Sequence, residues 1–204
     1  MQILELKDLV PKKQYIRRNS VSKTLGFDNT GNIDYCFDSI GFRTDAPNQD
    51  LNLDYYDILI FGSSISAGVG VEYQNSYSGL LGKNFKVKNL GFAGISYTNT
   101  MIYNLANYVL TKVKNKKVVV HWTSKIRDSA DFEIYNTKLK LKSQQYFSLA
   151  NEEHSTQILK TIDIYNFPFV DLCEYSKLDN TIPRHPGNIT HRFFYKCINH
   201  TLTR

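Results

Sequence analysis

The residue types best suited to chemistry in this chain fall in three loops rich in glycine, serine or histidine. The first loop, residues 62–71, reads GSSISAGVGV and follows an apolar run. The second loop reads NLGFAG at residues 89–94, and the third reads RHPGNITH at residues 184–191. A serine hydroxyl, a histidine and backbone N–H groups at tight turns can together perform acyl transfer, because a histidine of ordinary pKa, about 6.5, can accept the serine proton at neutral pH.

The first loop departs from three well-known motifs that join a strand to a helix. A P-loop, GxxxxGK[ST], would need a glycine at Ala67 followed by a lysine. A dinucleotide fingerprint, GxGxxG, would need a glycine at Tyr73, and a nucleophile elbow, GxSxG, would need one at Ser66. The alternative, structural interpretation of this loop is a serine that only caps the following helix. The evidence for a catalytic serine therefore depends on the other two loops.

The three loops, taken in order, resemble blocks I, II and V of the SGNH (GDSL-type) hydrolase family of esterases and lipases. In block I, GDSxxxxG or a close variant, Gly62 matches the glycine, Ser63 replaces the aspartate, and Ser64 takes the position of the nucleophile. Block II, often NxGxxG, matches residues 89–94. Block V, a loop that carries the catalytic histidine before the last helix, matches residues 184–191. The resemblance covers residues 54–204 and is that of a divergent member.

The resemblance implies a serine hydrolase that acts on ester bonds. Ser64 would attack the acyl carbonyl, and His185 would act first as general base and then as general acid. The backbone N–H groups of Ser64 and Gly94 would bind the tetrahedral oxyanion. His191 lies in the predicted last helix and is interpreted as a structural residue.

Two departures from the family pattern concern the catalytic acid and the third oxyanion donor. The family usually has an aspartate three residues before the histidine, where this chain has Ile182. Asp179 is the nearest upstream acid, so either Asp179 completes a triad or the serine and histidine act as a dyad, with a backbone carbonyl to orient the imidazole. Block III, usually GxND, has no asparagine here, and the hydroxyl of Thr123 or Ser124 is the candidate substitute.

The expected substrate is a small-molecule or carbohydrate ester, such as an O-acetyl group on a sugar or an acyl group on a lipid-like alcohol. The missing acid and asparagine favour one alternative, a catalytically inactive SGNH-like module that binds a glycan or a protein partner. Because loss of one oxyanion donor lowers turnover about 10²–10³-fold, an active site of this composition would be slow.

An alternation of strands and helices from residue 54 onward predicts the elements that position these loops. Apolar runs predict strands at residues 56–61, 85–90, 117–122 and 166–172. Helical periodicity predicts helices at residues 75–83, 98–112, 146–161 and 190–202, the second with Thr98 as its N-cap. Such an alternation favours a parallel sheet covered by helices, in which ligands bind beyond the C-terminal ends of the strands. The resemblance implies a three-layer αβα sandwich with a flavodoxin-like, mostly parallel sheet of about five strands.

Residues 1–52 are polar and irregular, and they are predicted to form a lead-in segment packed on a single SGNH-like domain of residues 53–204. Within the lead-in segment, residues 34–43 are expected to form a short extended piece. Arg43 could face the candidate site and meet an anionic substrate group, although the surface is the commoner place for an arginine.

The composition is that of a folded globular protein, with 42% hydrophobic and 22% charged residues among 204. No apolar run approaches the ~18 residues of a membrane span, and the first residues lack the pattern of a signal peptide, so a cytoplasmic location is expected. Cys36, Cys173 and Cys197 have no CxxC spacing and are interpreted as reduced thiols.

The net charge of +6 raises the question of a nucleic-acid partner. The basic cluster at residues 112–117 closes a predicted helix, where cations stabilise the negative end of the helix dipole. No nucleic-acid partner is therefore expected. His185, His191 and His200 lack the spacing of a helical zinc pair, so no metal site is expected. The resemblance to the SGNH family implies no organic cofactor.

Overall fold

The structure, a computed structural model, describes residues 20–22, 33–45, 52–92, 98–123, 132–152, 158–161 and 187–203. Within these ranges lie eight strands, four α-helices and two short 3₁₀ turns, the turns at Leu53–Tyr55 and Tyr73–Asn75. In chain order the strands and helices are β1 (Ser20–Ser22), β2 (Tyr35–Phe37), β3 (Arg43–Thr44), β4 (Ile58–Gly62), α1 (Tyr77–Leu81), β5 (Val87–Gly91), α2 (Asn99–Lys112), β6 (Lys117–Trp122), α3 (Phe132–Lys140), β7 (Gln145–Glu152), β8 (Ile158–Thr161) and α4 (Asn188–Leu202).

The main sheet has the strand order β5-β4-β6-β7-β8, with the first four strands parallel and β8 antiparallel to β7. The chain enters at β4, continues to β5 on one side, and then crosses to β6 on the other side. The register pairs Gly62 with Gly91 and with His121. The C-terminal ends of β4, β5 and β6 therefore lie together at one edge of the sheet.

Helices cover the sheet on both faces, and alternate residues of β4 pack against the helices of opposite faces. Leu59 and Phe61 belong to an apolar cluster that contains the buried residues of α2 and of α3. Ile58 and Ile60 belong to a second cluster, which contains the buried residues of α1 and of α4. Strands buried on both faces are continuous apolar runs, which is why β4 and β6 are recognisable in the sequence. The arrangement is mixed α/β and is compatible with a three-layer fold.

Three of the four predicted strands and three of the four predicted helices are confirmed, with ends shifted by two or fewer residues. The hydroxyl of Thr98 accepts the N–H of Met101 at 3.3 Å, as predicted for an N-cap. The predicted strand at residues 166–172 lies outside the described residues. None of the described helices has the length and apolar character needed to cross a membrane.

The predicted helix at residues 146–161 is wrong, because residues 146–152 lie in β7 and residues 158–161 form β8. Phe147 and Leu149 are buried in the cluster of α1 and α4, so the apolar residues recur with a period of two. Ser148, between them, is also buried and pairs with Val120 of β6. Helix α3 was not predicted, since it buries only a narrow stripe that includes Asn136 and Leu139.

Residues 33–45 of the lead-in segment pack against the main sheet. The extended piece expected at residues 34–43 is confirmed only in part: Tyr35–Phe37 is strand β2, residues 38–42 form a turn, and β3 begins at Arg43. Strands β1, β2 and β3 form a small antiparallel sheet. Ile40 and Phe42 are buried in the cluster of α2 and α3. The Phe42 ring meets the Phe92 ring edge to face, with centroids 5.0 Å apart.

The structure describes two of the three cysteines and the whole basic cluster at residues 112–117. Cys36 and Cys197 are free cysteines, and Cys173 lies outside the described residues. Lys116 donates to the carbonyls of Asp54 and Tyr56 at 2.8 and 2.7 Å.

Lys117 donates to the carbonyl of Leu202 at 2.6 Å. Lys116 and Lys117 therefore hold backbone carbonyls of neighbouring elements.

An ion pair buried beneath the lead-in segment joins it to β5. Asp38 Oδ2 lies 2.8 Å from Lys88 Nζ, and the two side chains are 0% and 1% exposed. Asp38 Oδ1 accepts the N–H groups of Ile40, Gly41 and Phe42 at 2.8–3.0 Å, which fixes the turn between β2 and β3. Removal of one partner would leave the other charge buried and uncompensated.

Lys88→Met is expected to lower the free energy of unfolding by about 3–5 kcal/mol, because the Asp38 carboxylate loses its cation in a buried site. Urea denaturation measures the change. The matched control is Lys114→Met at an exposed position, with an expected change within about 0.5 kcal/mol. Equal stabilities of the two variants would contradict a stabilising role of the ion pair.

Candidate functional site

The candidate site lies at the sheet edge where β4, β5 and β6 end. From β4 the chain turns to one neighbouring strand, β5, and later returns to the other, β6, so the direction of strand addition reverses between β4 and β6. In open parallel sheets this point forms a crevice in which ligands bind. Ser64 follows the end of β4 by two residues, and Thr123 comes directly after β6. The strand order therefore places these two predicted site residues at the same end of the sheet.

The other predicted site residues, Gly94, Asp179 and His185, lie outside the described residues. Gly94 follows the end of β5 by three residues in the sequence. The assigned roles of all three stay predictions, and so does the pairing of Ser64 with His185. Ser124, the alternative to Thr123 as an oxyanion donor, also lies outside the described residues.

The first loop turns sharply and is buried along its whole length, residues 62–71. The N–H of Ala67 donates to the carbonyl of Ser63 at 3.0 Å, and the N–H of Val69 donates to the carbonyl of Ser64 at 3.0 Å. Among its three serines the exposed fraction is 6% for Ser64, 3% for Ser63 and 0% for Ser66. Ser64 is the least covered serine of the loop.

Glycines at the ends of β4 and β5 allow Ser66 to pack against the sheet. A Cβ atom on Gly62 would lie 2.0 Å from Ser66 Oγ and 2.7 Å from the carbonyl oxygen of His121. A Cβ atom on Gly91 would lie 2.6 Å from Ser66 Cβ. Only glycine permits such close approach, so the glycines of the first two sequence motifs bring the first loop onto the strand ends.

Asn89, the first residue of the NxGxxG motif, attaches the first loop to β5. Its Nδ2 donates to the carbonyl of Ser66 at 2.6 Å and to the hydroxyl of Ser78 at 3.0 Å. Its Oδ1 accepts the N–H of Gly91 at 2.8 Å. One buried amide thus joins β5, the first loop and α1. In this chain the asparagine of the motif positions the loop that carries the candidate nucleophile.

Asn99, which sequence analysis did not single out, fixes the backbone of Thr123. Its Oδ1 accepts the Thr123 N–H at 2.8 Å, and its Nδ2 donates to the Thr123 carbonyl at 3.0 Å. Because this N–H is already used, the hydroxyl is the Thr123 donor that remains for an oxyanion. A polar residue just after an N-cap is common in sequences, so nothing in the sequence marks this role.

His191 is buried on α4 and supports the start of α1. Its Nδ1 accepts the N–H of Tyr77 at 3.2 Å, and its ring stacks on the Tyr77 ring with centroids 5.7 Å apart. The structural interpretation of His191 agrees with these contacts. Burial raises the pKa of Tyr77 well above its usual value, so the phenol stays neutral.

The expectation for Arg43 is wrong, because its side chain is buried behind the first loop and lies neither at the surface nor toward a substrate. Its guanidinium donates to the carbonyls of Ala67, Gly68 and Val71, and it stacks over the ring of Tyr35. Burial lowers the pKa of Arg43 to about 10, which leaves the side chain cationic at neutral pH.

Among the described residues, no group of three His, Cys, Asp or Glu side chains is placed to hold a metal ion. Comparisons of the chain with protein-family models, with curated protein sequences and with solved structures found no match. The functional argument therefore depends on the residues of this chain and on their geometry.

Asn99→Ala is expected to lower the free energy of unfolding by about 1–3 kcal/mol, because it leaves the buried N–H and carbonyl of Thr123 without this partner. It should also speed hydrogen exchange at the Thr123 amide. Asn104→Ala, at an exposed position of the same helix, is the matched control, with no expected loss of stability. If the two variants exchange the Thr123 amide equally fast, Asn99 does not hold it.

Proposed function

We propose that this chain is a serine hydrolase of the SGNH type that cleaves an ester, with Ser64 as the nucleophile and His185 as the general base. The observation that carries the proposal is the position of the first loop, since Ser64 follows the end of β4 at the point where the strand order reverses, and open parallel sheets bind ligands at such points. The Thr123 end of β6 lies beside it, where the SGNH family has its third oxyanion donor.

The strand order also supports the finer description of the fold. Numbered along the chain from β4, the order of the main sheet is 2-1-3-4-5, which is the flavodoxin-like order. The two apolar clusters on opposite faces of the sheet support a three-layer αβα sandwich. The resemblance of the three loops to blocks I, II and V assigns this sandwich to the SGNH type.

The proposed reaction has two stages joined by a covalent acyl-enzyme. The Ser64 hydroxyl attacks the acyl carbonyl while His185 takes its proton, and the negative oxygen binds to the N–H groups of Ser64 and Gly94 and to the Thr123 hydroxyl. The alcohol leaves with the proton from His185. Water, activated by the same histidine, then releases the acid and restores the serine. Asp179, or a backbone carbonyl, orients the imidazole.

The substrate class is a small-molecule or carbohydrate ester. Every step above uses side chains and backbone groups of this chain, so the mechanism requires neither a metal ion nor an organic cofactor.

A small fluorophosphonate probe is expected to label the wild-type chain once, on Ser64, as found by intact mass and peptide mapping. Ser64→Ala and His185→Ala should abolish the adduct, whereas Ser63→Ala, a matched change at the adjacent serine, should retain it. The labelling rate should decrease as the pH is lowered through about 6.5, because a protonated histidine of ordinary pKa cannot accept the serine proton. An adduct on Ser63 or Ser66 would contradict the assignment of the nucleophile.

An inactive module that binds a glycan or a protein partner is the second candidate function. It is favoured by Ile182 at the position of the family's aspartate and by the lack of an asparagine after β6. A folded wild-type chain that forms no adduct over hours, between about pH 6 and about pH 9, would support this candidate in place of the hydrolase.

A further inference from the structure

The lead-in segment reaches the back of the first loop through Arg43 of β3. Nη1 donates to the carbonyl of Ala67 at 3.1 Å and to that of Gly68, and Nη2 donates to the carbonyl of Val71 at 2.7 Å. A guanidinium suits this task, because its planar fork of donors can serve several acceptors at once. One buried cation thus fixes three carbonyls within a span of five loop residues.

Tyr35 of β2 provides the second contact between the lead-in segment and the first loop. Its hydroxyl oxygen accepts the N–H of Gly70 at 3.0 Å. Its ring lies under the Arg43 guanidinium, with the central carbon 4.4 Å from the ring centroid. The phenol is fully buried, so this cation–π contact is shielded from water and holds the guanidinium in place.

The segment that these two residues hold is linked to Ser64 by the loop's own hydrogen bonds. The N–H of Val69 donates to the carbonyl of Ser64, and the N–H of Ala67 donates to the carbonyl of Ser63, both at 3.0 Å. A shift of residues 67–71 would therefore move the Ser64 backbone and, with it, both the hydroxyl and the N–H that the proposed reaction uses.

We propose that Arg43 and Tyr35 are positioning residues for Ser64, which they hold in a reactive geometry from the side of the loop opposite the substrate. This inference rests on the proposed function of Ser64 as a nucleophile. Neither residue touches the reacting atoms. A small displacement of a catalytic group mainly lowers the rate of the chemical step, whereas binding of a small probe changes little.

Tyr35→Phe and Arg43→Lys test this role with little loss of volume. Tyr35→Phe removes the hydroxyl that accepts the Gly70 N–H and keeps the ring beneath Arg43. Arg43→Lys keeps the charge but cannot serve three carbonyls in the same fork geometry. The matched control is Tyr146→Phe, which removes a tyrosine hydroxyl bonded to Asn136; Tyr146 lies on β7, two strands from β4, and pairs with Val118 near the start of β6.

The readouts are fluorophosphonate labelling of Ser64, resolved into probe affinity and limiting rate, and hydrogen exchange of the amides at residues 63–71. The limiting rate is expected to fall about 10-fold in Tyr35→Phe and about 100-fold in Arg43→Lys, with probe affinity unchanged. Exchange in the loop should speed up in both variants. Tyr146→Phe should match the wild type in the limiting rate and in exchange of the loop amides.

The two proposals fail in different ways. A wild-type chain that forms no adduct overturns the proposed function and this inference together. A wild-type chain that is labelled, with Tyr35→Phe labelled as fast as Tyr146→Phe, overturns only the positioning role. Circular dichroism checks the fold of each variant, and Tyr35→Phe decides the question if Arg43→Lys does not fold.

Discussion

A loop that is buried along its whole length must find hydrogen-bond partners for its backbone, and this constraint shapes the candidate site. The first loop, residues 62–71, meets it with side chains from two directions. Asn89 of β5 binds the Ser66 carbonyl from below, and Arg43 and Tyr35 bind residues 67–71 from the lead-in segment. The position of Ser64 is thus a product of tertiary contacts as much as of its own turn.

The same constraint explains why the lead-in segment belongs to the site although it carries no proposed catalytic residue. The buried ion pair between Asp38 and Lys88 ties the turn after β2 to β5, and Arg43 follows that turn directly. Strand β5 also carries Asn89. The lead-in segment and Asn89, which both bind the first loop, are therefore both attached to β5. The loop after β4 is therefore hydrogen-bonded in place near the end of β6, which Thr123 follows, as the proposed oxyanion site requires.

The sequence predicts those parts of the fold whose pattern is local. Strands β4 and β6 are buried on both faces and form continuous apolar runs, whereas β7 carries Ser148 and Gln145 and is defined by its remote partner β6. The first-loop position of Ser64 could be predicted from glycine and serine spacing. The roles of Arg43 and Asn99 could not, because a polar side chain that binds distant backbone leaves no period in the sequence.

An experimental structure of the wild-type chain tests the central claim, that Ser64 and His185 form a catalytic pair at the crevice between β4 and β6. The account predicts Ser64 Oγ within about 3.5 Å of a His185 ring nitrogen, with the Gly94 N–H directed at the same space. A structure in which the His185 ring lies far from Ser64, with another side chain against that hydroxyl, would contradict the account.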